Sequence, residues 1–179
     1  GLLGRADPAG ARLAAAARQP LKPSPPARPQ RNLNPQKSMH IDIRTDSNTV
    51  DWRQVAATLK EVGMGHHAPE VHEQAFAASH TTVFAWQGEA LIGFGRAISD
   101  GICHAALYDV AVRPAFQGQG IGTRIVAAIL AGLPPTCTVI LFASPGKEPF
   151  YRTLGFRRML TGMARFHDAE TMAARGFTD

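Results

Sequence analysis

Cysteine is scarce in this chain of 179 residues: Cys103 and Cys137 stand far apart in apolar surroundings. Neither a disulfide framework nor a zinc or redox spacing can be built from them, so buried free thiols in a reducing compartment are expected. Long apolar runs are missing too. No stretch approaches the roughly 20 residues that span a bilayer, so no membrane partner is expected. A general excess of positive charge is also absent, although the formal net charge is +5. Residues 1–38 hold seven Lys/Arg and one acid, whereas the remainder holds twelve Lys/Arg and thirteen acids. The basic balance belongs to the tail, and a nucleic-acid groove on the domain loses its support. One further absence is local: no Asp or Glu occurs from Val110 through Lys147, where Arg113, Arg124 and Lys147 are present.

The chain divides at about residue 38. Residues 1–38 are rich in Pro, Ala and Arg and poor in aromatics. Such a segment buries too little surface to offset its ordering entropy, so disorder or loose packing is expected, and "ARLAAAARQ" has a composition compatible with a short helix. The acid-poor, Arg- and Ala-rich composition also fits a transit peptide, whereas Met39 reads as a native start. Residues 39–179 form the domain.

Periodicity predicts the order β-α-α-β-β-β-α-β-α-β. "HIDIRT" alternates as a strand, and Trp52, Val55, Leu59 and Val62 recur at helical spacing behind Asn48 or Thr49 as cap. Pro69 opens a second helix. "TTVFAWQGEALIGFGRAISDG" reads as a hairpin turning at Gly88-Glu89, and "CHAALYDVAV" as a strand ended by Arg113-Pro114. "IGTRIVAAILAGL" places Ile121, Ile125, Ala128 and Ile129 on one helical face and stops at Gly132. "TCTVILFAS" reads as a strand covered on both faces. "KEPFYRTLG" is a short helix, and "FRRMLTGMARF" a last strand.

The segment "RPAFQGQGIGTRIV" sets Gly118, Gly120 and Gly122 between a strand and a helix. Glycine costs roughly 0.5–1 kcal/mol relative to alanine in regular structure, so the cluster needs a reason. A strand-to-helix junction exposes unpaired N–H groups at the positive end of the helix dipole, a ready anion site. It is not a Walker loop, because Gly122 is followed by Thr123-Arg124. Nor is it a dinucleotide fingerprint, which needs glycine where Thr123 stands and an acid about 20 residues on.

What remains is Gln-x-x-Gly-x-Gly at Gln117, Gly120 and Gly122, with a second landmark in "FYRTLGF" (Phe150–Phe156). Together with the element order, these resemble the GCN5-related N-acetyltransferase (GNAT) superfamily over about Met39 to Phe166. "GRAISD", "YDVAVRPAFQGQGIG" and "FYRTLGF" are most similar to the arylalkylamine (serotonin-type) members of plants and cyanobacteria and their bacterial relatives. The resemblance implies an α/β fold with a mixed, mostly antiparallel sheet splayed between strands 4 and 5, and helices on both faces. It implies acetyl-coenzyme A as co-substrate, an amine as the second partner, no metal, and a homodimer. The amides of Gln117, Gly118, Gln119, Gly120, Ile121, Gly122 and Thr123 would cradle the pyrophosphate. Val110, Ala111 and Val112 would line the pantetheine, with exposed N–H and C=O groups of Val110 and Val112 pairing with its amides.

Acetyl transfer to an amine needs a neutral nucleophile, a stabilised oxyanion and a protonated leaving thiolate. The resemblance places Tyr151 beside the coenzyme sulfur as general acid. Asp109 is a candidate base, as are His104, which faces the other way by parity, and Asp100; a structural salt bridge explains Asp109 equally well, and water chains serve in some relatives. His66, His67 and His72 lack the companions of a zinc set and suit a loop beside the amine pocket. Two functions therefore stand: an N-acetyltransferase, cytoplasmic or organellar according to the tail, and a non-catalytic acyl-coenzyme A sensor. A positioned Tyr151 favours the first.

Overall fold

Apolar residues run consecutively through "VFAW" (Val83–Trp86) and so occupy both faces of the strand they form, which must be covered on both sides. The computed structural model, which describes residues 40–179, shows how. The elements run β1 (Ile41–Arg44), α1 (Trp52–Glu61), α2 (Pro69–Ala77), β2 (Thr81–Gln87), β3 (Ala90–Ser99) and β4 (His104–Val112). A 3-10 turn (Pro114–Phe116) leads to α3 (Ile121–Ala131), followed by β5 (Thr138–Ile140), α4 (Glu148–Thr153) and α5 (Ala169–Ala174). The expectations for the tail lie outside the described residues.

The strands lie in sequence order in one sheet, antiparallel from β1 to β4, with β5 parallel to β4. A parallel neighbour requires a crossover, and α3 supplies it. Val83 and Ala85 of β2 face α3, whose Ile121, Ile125, Val126 and Ile129 fill one core. Phe84 and Trp86 face the other way, into a core with Val55 and Leu59 of α1 and Phe76 of α2. Helices thus cover both faces, as expected. Two residues of β3 set how closely α3 packs. A Cβ on Gly93 would stand 3.0 Å from Ile125 Cδ1, and one on Gly95 3.0 Å from both Ile125 Cγ2 and Ile129 Cδ1. The isoleucines of α3 therefore rest on bare backbone, which fixes the depth of the helix.

Several local expectations are corrected. The cap of α1 is Asp51, whose Oδ1 accepts from Arg53 N–H at 3.1 Å, rather than Asn48 or Thr49; it immediately precedes the first helical residue. "TCTVILFAS" yields only Thr138–Ile140, and only one face is covered: Val139 is half-buried against the α3 core, whereas Thr138 and Ile140 are exposed. "FRRMLTGMARF" forms no strand. Among the described residues nothing pairs with the free edge of β5, and Leu160 and Met163 are 87% and 100% exposed. The chain instead ends in α5, capped by Asp168, and Phe177 beyond it packs edge-on against Phe142. Cys103 is exposed and Cys137 half-buried, since the apolar neighbours of Cys103 lie in an open turn between β3 and β4.

Candidate functional site

β5 pairs with β4 only through His104–Thr138, Ala105–Val139 and Ala106–Ile140. Beyond Ala106, β4 runs on to Val112 with its β5-side edge unpaired, which is the opening between strands 4 and 5. Arg113 N–H donates to Ile92 O of β3 at 2.9 Å, so by alternation the polar groups of Val112 face the opening. There the carbonyl of Val112 accepts from the Gln117 side-chain amide at 2.9 Å. Val112 and Val110 lie against the α3 core, whereas Ala111 pairs with Phe94 and buries its side chain in the opposite core.

The strand is bulged in the middle of this edge. Phe94 pairs with Ala111 but Arg96 pairs with Tyr108, so Gly95 stands opposite both Asp109 and Val110. Asp109 adopts φ +53, a left-handed conformation costing a non-glycine residue on the order of 1 kcal/mol. Arg96 Nε donates to Asp109 Oδ2 at 2.6 Å, with both side chains largely buried. The guanidinium is held in turn by Ser79 Oγ at 3.2 Å and by the Tyr108 ring, 5.2 Å from its centroid. This bracket holds the bulge.

At the end of β4 the chain turns through Gly118 (φ +74) and Gly120 (φ +76) into α3. Gly120 is the N-cap and offers no side-chain acceptor, and the first helical bond is Arg124 N–H to Gly120 O. The amides of Gly118, Gln119, Gly120, Ile121, Gly122 and Thr123 consequently have no acceptor among the described residues. That of Gln117 is already committed to Pro114 O at 3.2 Å. Six consecutive N–H groups at a helix N-terminus make a concave donor surface suited to phosphate oxygens.

Gly122 has a second reason to lack a side chain: its Cβ would meet Phe150 Cζ at 3.2 Å. Phe150 thus docks α4 on the first turn of α3, which carries Tyr151 with it. The Tyr151 ring is half-buried and meets Phe150 and Phe156 edge-on at 4.9 and 5.9 Å. Burial pushes its hydroxyl above the usual phenol range, so it is protonated at neutral pH.

The candidate bases fare differently. Oδ2 of Asp109 is taken by Arg96. Asp100 accepts the amides of His104, Ile102 and Cys103, which hold its carboxyl well below the usual range and make it a poor base. It lies with His104 at the far end of β4. His72 is 3% exposed, and its Nε2 accepts His67 N–H at 2.9 Å, pinning the loop before α2. Burial lowers its pKa, against the opposing charge of Asp109.

The unpaired strand edge and the amide cradle meet where a family model, the acetyltransferase (GNAT) domain, matches residues 50–168. The chain belongs to the GNAT family. This GNAT domain is 46% identical over 127 residues to the uncharacterised N-acetyltransferase ycf52 of Gracilaria tenuistipitata var. liui, covering 70% of this chain and 65% of that one. Its similarity to the ycf52-like protein of Prochlorococcus marinus is 32% over 114 residues, 60% of this chain and 63% of the relative. The chain therefore spans just under two thirds of the length of these curated relatives. The serotonin N-acetyltransferase 2 of rice is 37% identical over 67 residues, 36% of this chain and 34% of that one. Among solved structures, a GNAT-family acetyltransferase of Streptococcus pneumoniae superposes with a TM-score of 0.61 at 27% identity, over 72% of this chain and 98% of that one.

Beside the candidate site stand residues to which the sequence assigned no role. Arg96 and Ser79 hold the bulge, Phe150 seats the tyrosine helix, and Gly93 and Gly95 seat α3. Only "GFG" within a strand was a legible signal, since glycine there marks close backbone approach.

Proposed function

We propose that this chain is an acetyl-coenzyme A-dependent N-acetyltransferase that acts on a primary amine of a small molecule. The observation that carries the reading is the adjacency of an unpaired β4 edge and six unpartnered amides at the start of α3. The edge groups of Val110 and Val112 take the pantetheine amides, and Gln117 gives up the Val112 carbonyl to them. The amides of Gly118 to Thr123 bind the pyrophosphate, and Gln117 serves through its side chain rather than its own N–H. With the thioester so held, the amine nitrogen bonds to the carbonyl carbon, and the oxyanion that forms is stabilised by N–H donors of the bulged strand. The carbon–sulfur bond then breaks and Tyr151 donates its phenolic proton to the thiolate. The proton of the attacking amine leaves through water or Asp109.

An arylalkylamine is the favoured acceptor, supported by the name of the rice relative and by aromatic Tyr108 and Phe142 beside the opening. The compartment is the cytoplasm, or an organellar stroma where residues 1–38 act as a transit leader. Among the described residues no helix is long and apolar enough to cross a membrane. A homodimer belongs to the same proposal and is checked by light scattering.

The test is thiol release from acetyl-coenzyme A across a panel of amines, comparing wild type with Tyr151→Phe. Positioned acids contribute about 10²–10⁴-fold, and a fall in kcat of that order is expected with KM for acetyl-coenzyme A unchanged. A variant within about threefold of wild type, far short of that range, makes Tyr151 a packing residue. Binding without turnover on every amine would favour the sensor reading.

A further inference from the structure

The turn joining β3 to β4 lies at the opposite end of β4 from the coenzyme cradle, about 25 Å along the strand at the usual rise per residue. It gathers three chemically different ligand donors. One ligand atom each from Asp100, Cys103 and His104 lies within 4.8 Å of the others. Cys103 Sγ is 3.0 Å from His104 Nδ1 and 3.4 Å from Asp100 Oδ2, and His104 Nδ1 is 3.5 Å from that same oxygen.

The two carboxylate oxygens have separate tasks. Oδ1 accepts the amides of Ile102, Cys103 and His104 at 2.8, 2.9 and 3.0 Å, which fixes the carboxylate in the turn. Oδ2 is thereby turned toward the sulfur and the imidazole. Ser99 Oγ tightens the same turn, donating to His104 O at 2.8 Å and accepting from Gly101 N–H at 3.0 Å. Thr138 N–H donates to Cys103 O at 2.7 Å and ties the turn to β5. All three side chains are exposed, which leaves room for water to complete a coordination shell.

We propose that Asp100, Cys103 and His104 form a surface site for a divalent transition metal of borderline softness, such as Zn²⁺ or Co²⁺. Geometry supports the assignment. Zinc bonds of about 2.0–2.3 Å at tetrahedral angles place ligand atoms roughly 3.3–3.6 Å apart. Two of the three separations fall in or near that interval, and the sulfur–imidazole edge has only to open by about half an ångström to reach it. The donor set selects the metal class. Thiolate and imidazole favour zinc, cobalt and nickel, whereas magnesium and calcium require a shell of oxygens. The metal would staple the β3–β4 turn, and it takes no part in acetyl transfer.

The test titrates Co²⁺ into the untagged full chain under reducing conditions and follows thiolate-to-cobalt charge-transfer absorption, then displaces cobalt with Zn²⁺. One equivalent is expected to bind and to be displaced. Outer-shell partners alone are worth about 10–100-fold in metal affinity, so loss of a ligand should cost at least that much. Cys103→Ser should abolish the absorption. Asp100→Asn keeps an oxygen for the three amides while removing the carboxylate charge, so the turn survives and the affinity falls. Cys137→Ser should leave the titration unchanged. Absence of thiolate absorption in the wild-type chain, or its persistence in Cys103→Ser, overturns the proposal.

Discussion

Replacing Gly122 with valine separates two reasons for a glycine at the start of α3. The structure places a Cβ at this position 3.2 Å from Phe150 Cζ and 3.4 Å from Cε2, tighter than ordinary contact. Valine adds two methyl groups beyond that Cβ, so Phe150 has to move and α4 with it. Overpacking of this kind costs about 1–3 kcal/mol, and the small gain in helix propensity over glycine offsets only part of it. Tyr151 follows Phe150 on the same short helix. A displacement of about 1 Å at a reacting group can lower turnover by ~10²-fold, so kcat should fall by more than the stability loss suggests. The assay is a double-mutant cycle with Phe150→Ala, read by urea denaturation, by turnover and by calorimetric binding of acetyl-coenzyme A. If packing is the reason for the glycine, the second substitution relieves the first, with a coupling of about 0.5–3 kcal/mol in stability. If close approach of pyrophosphate is the reason as well, coenzyme affinity stays depressed by well over tenfold even in the double variant, a loss above ~1.4 kcal/mol. Additive stabilities would refute the packing argument, and unchanged affinity in a folded Gly122→Val protein would refute close approach.

Three further outcomes are expected. Deleting residues 1–38 removes all the excess positive charge and should leave turnover unchanged; a loss beyond about tenfold, or ~1.4 kcal/mol of barrier, would give the tail a part in the site. Asp109→Asn breaks the charged hydrogen bond to Arg96 and should destabilise the domain by about 1–3 kcal/mol in thermal unfolding. A fall in kcat of about 10² or more on top of that would instead mark Asp109 as the base. For His72, burial lowers the folded pKa below the ordinary 6.5. Its contribution to stability is full above that value and is lost as pH falls through the window below it, because the unfolded chain binds the proton first. Protonated Nε2 no longer accepts His67 N–H, so limited proteolysis in "GMGHH" should accelerate at pH 5 relative to pH 7.5; equal rates would remove His72 from the loop's anchorage.

Residues that act on their own backbone were legible in order of sequence. Pro69 opens α2, Gly132 closes α3, and Gly88 turns the β2–β3 hairpin as their local chemistry dictates. The glycine turn before α3 belongs with them, since Gly118 and Gly120 at positive φ and a helix without a side-chain cap are properties of a short stretch. These determined most of the element order and left the amides before α3 without acceptors among the described residues. Tertiary pairing decided the rest. "FRRMLTGMARF" has the composition of a strand, but a strand exists only where another offers its edge, and β5 is three residues long. The bulge at Asp109 depends on Arg96, thirteen residues away on the neighbouring strand, so parity counted along β4 could not reveal it. Cys103 sits among apolar neighbours in sequence yet lies in an open turn, because burial depends on what packs from elsewhere in the chain. Its convergence with Asp100 and His104 follows from one carboxylate oxygen accepting the amides two to four residues further on, a local turn that the pairing of β3 with β4 closes.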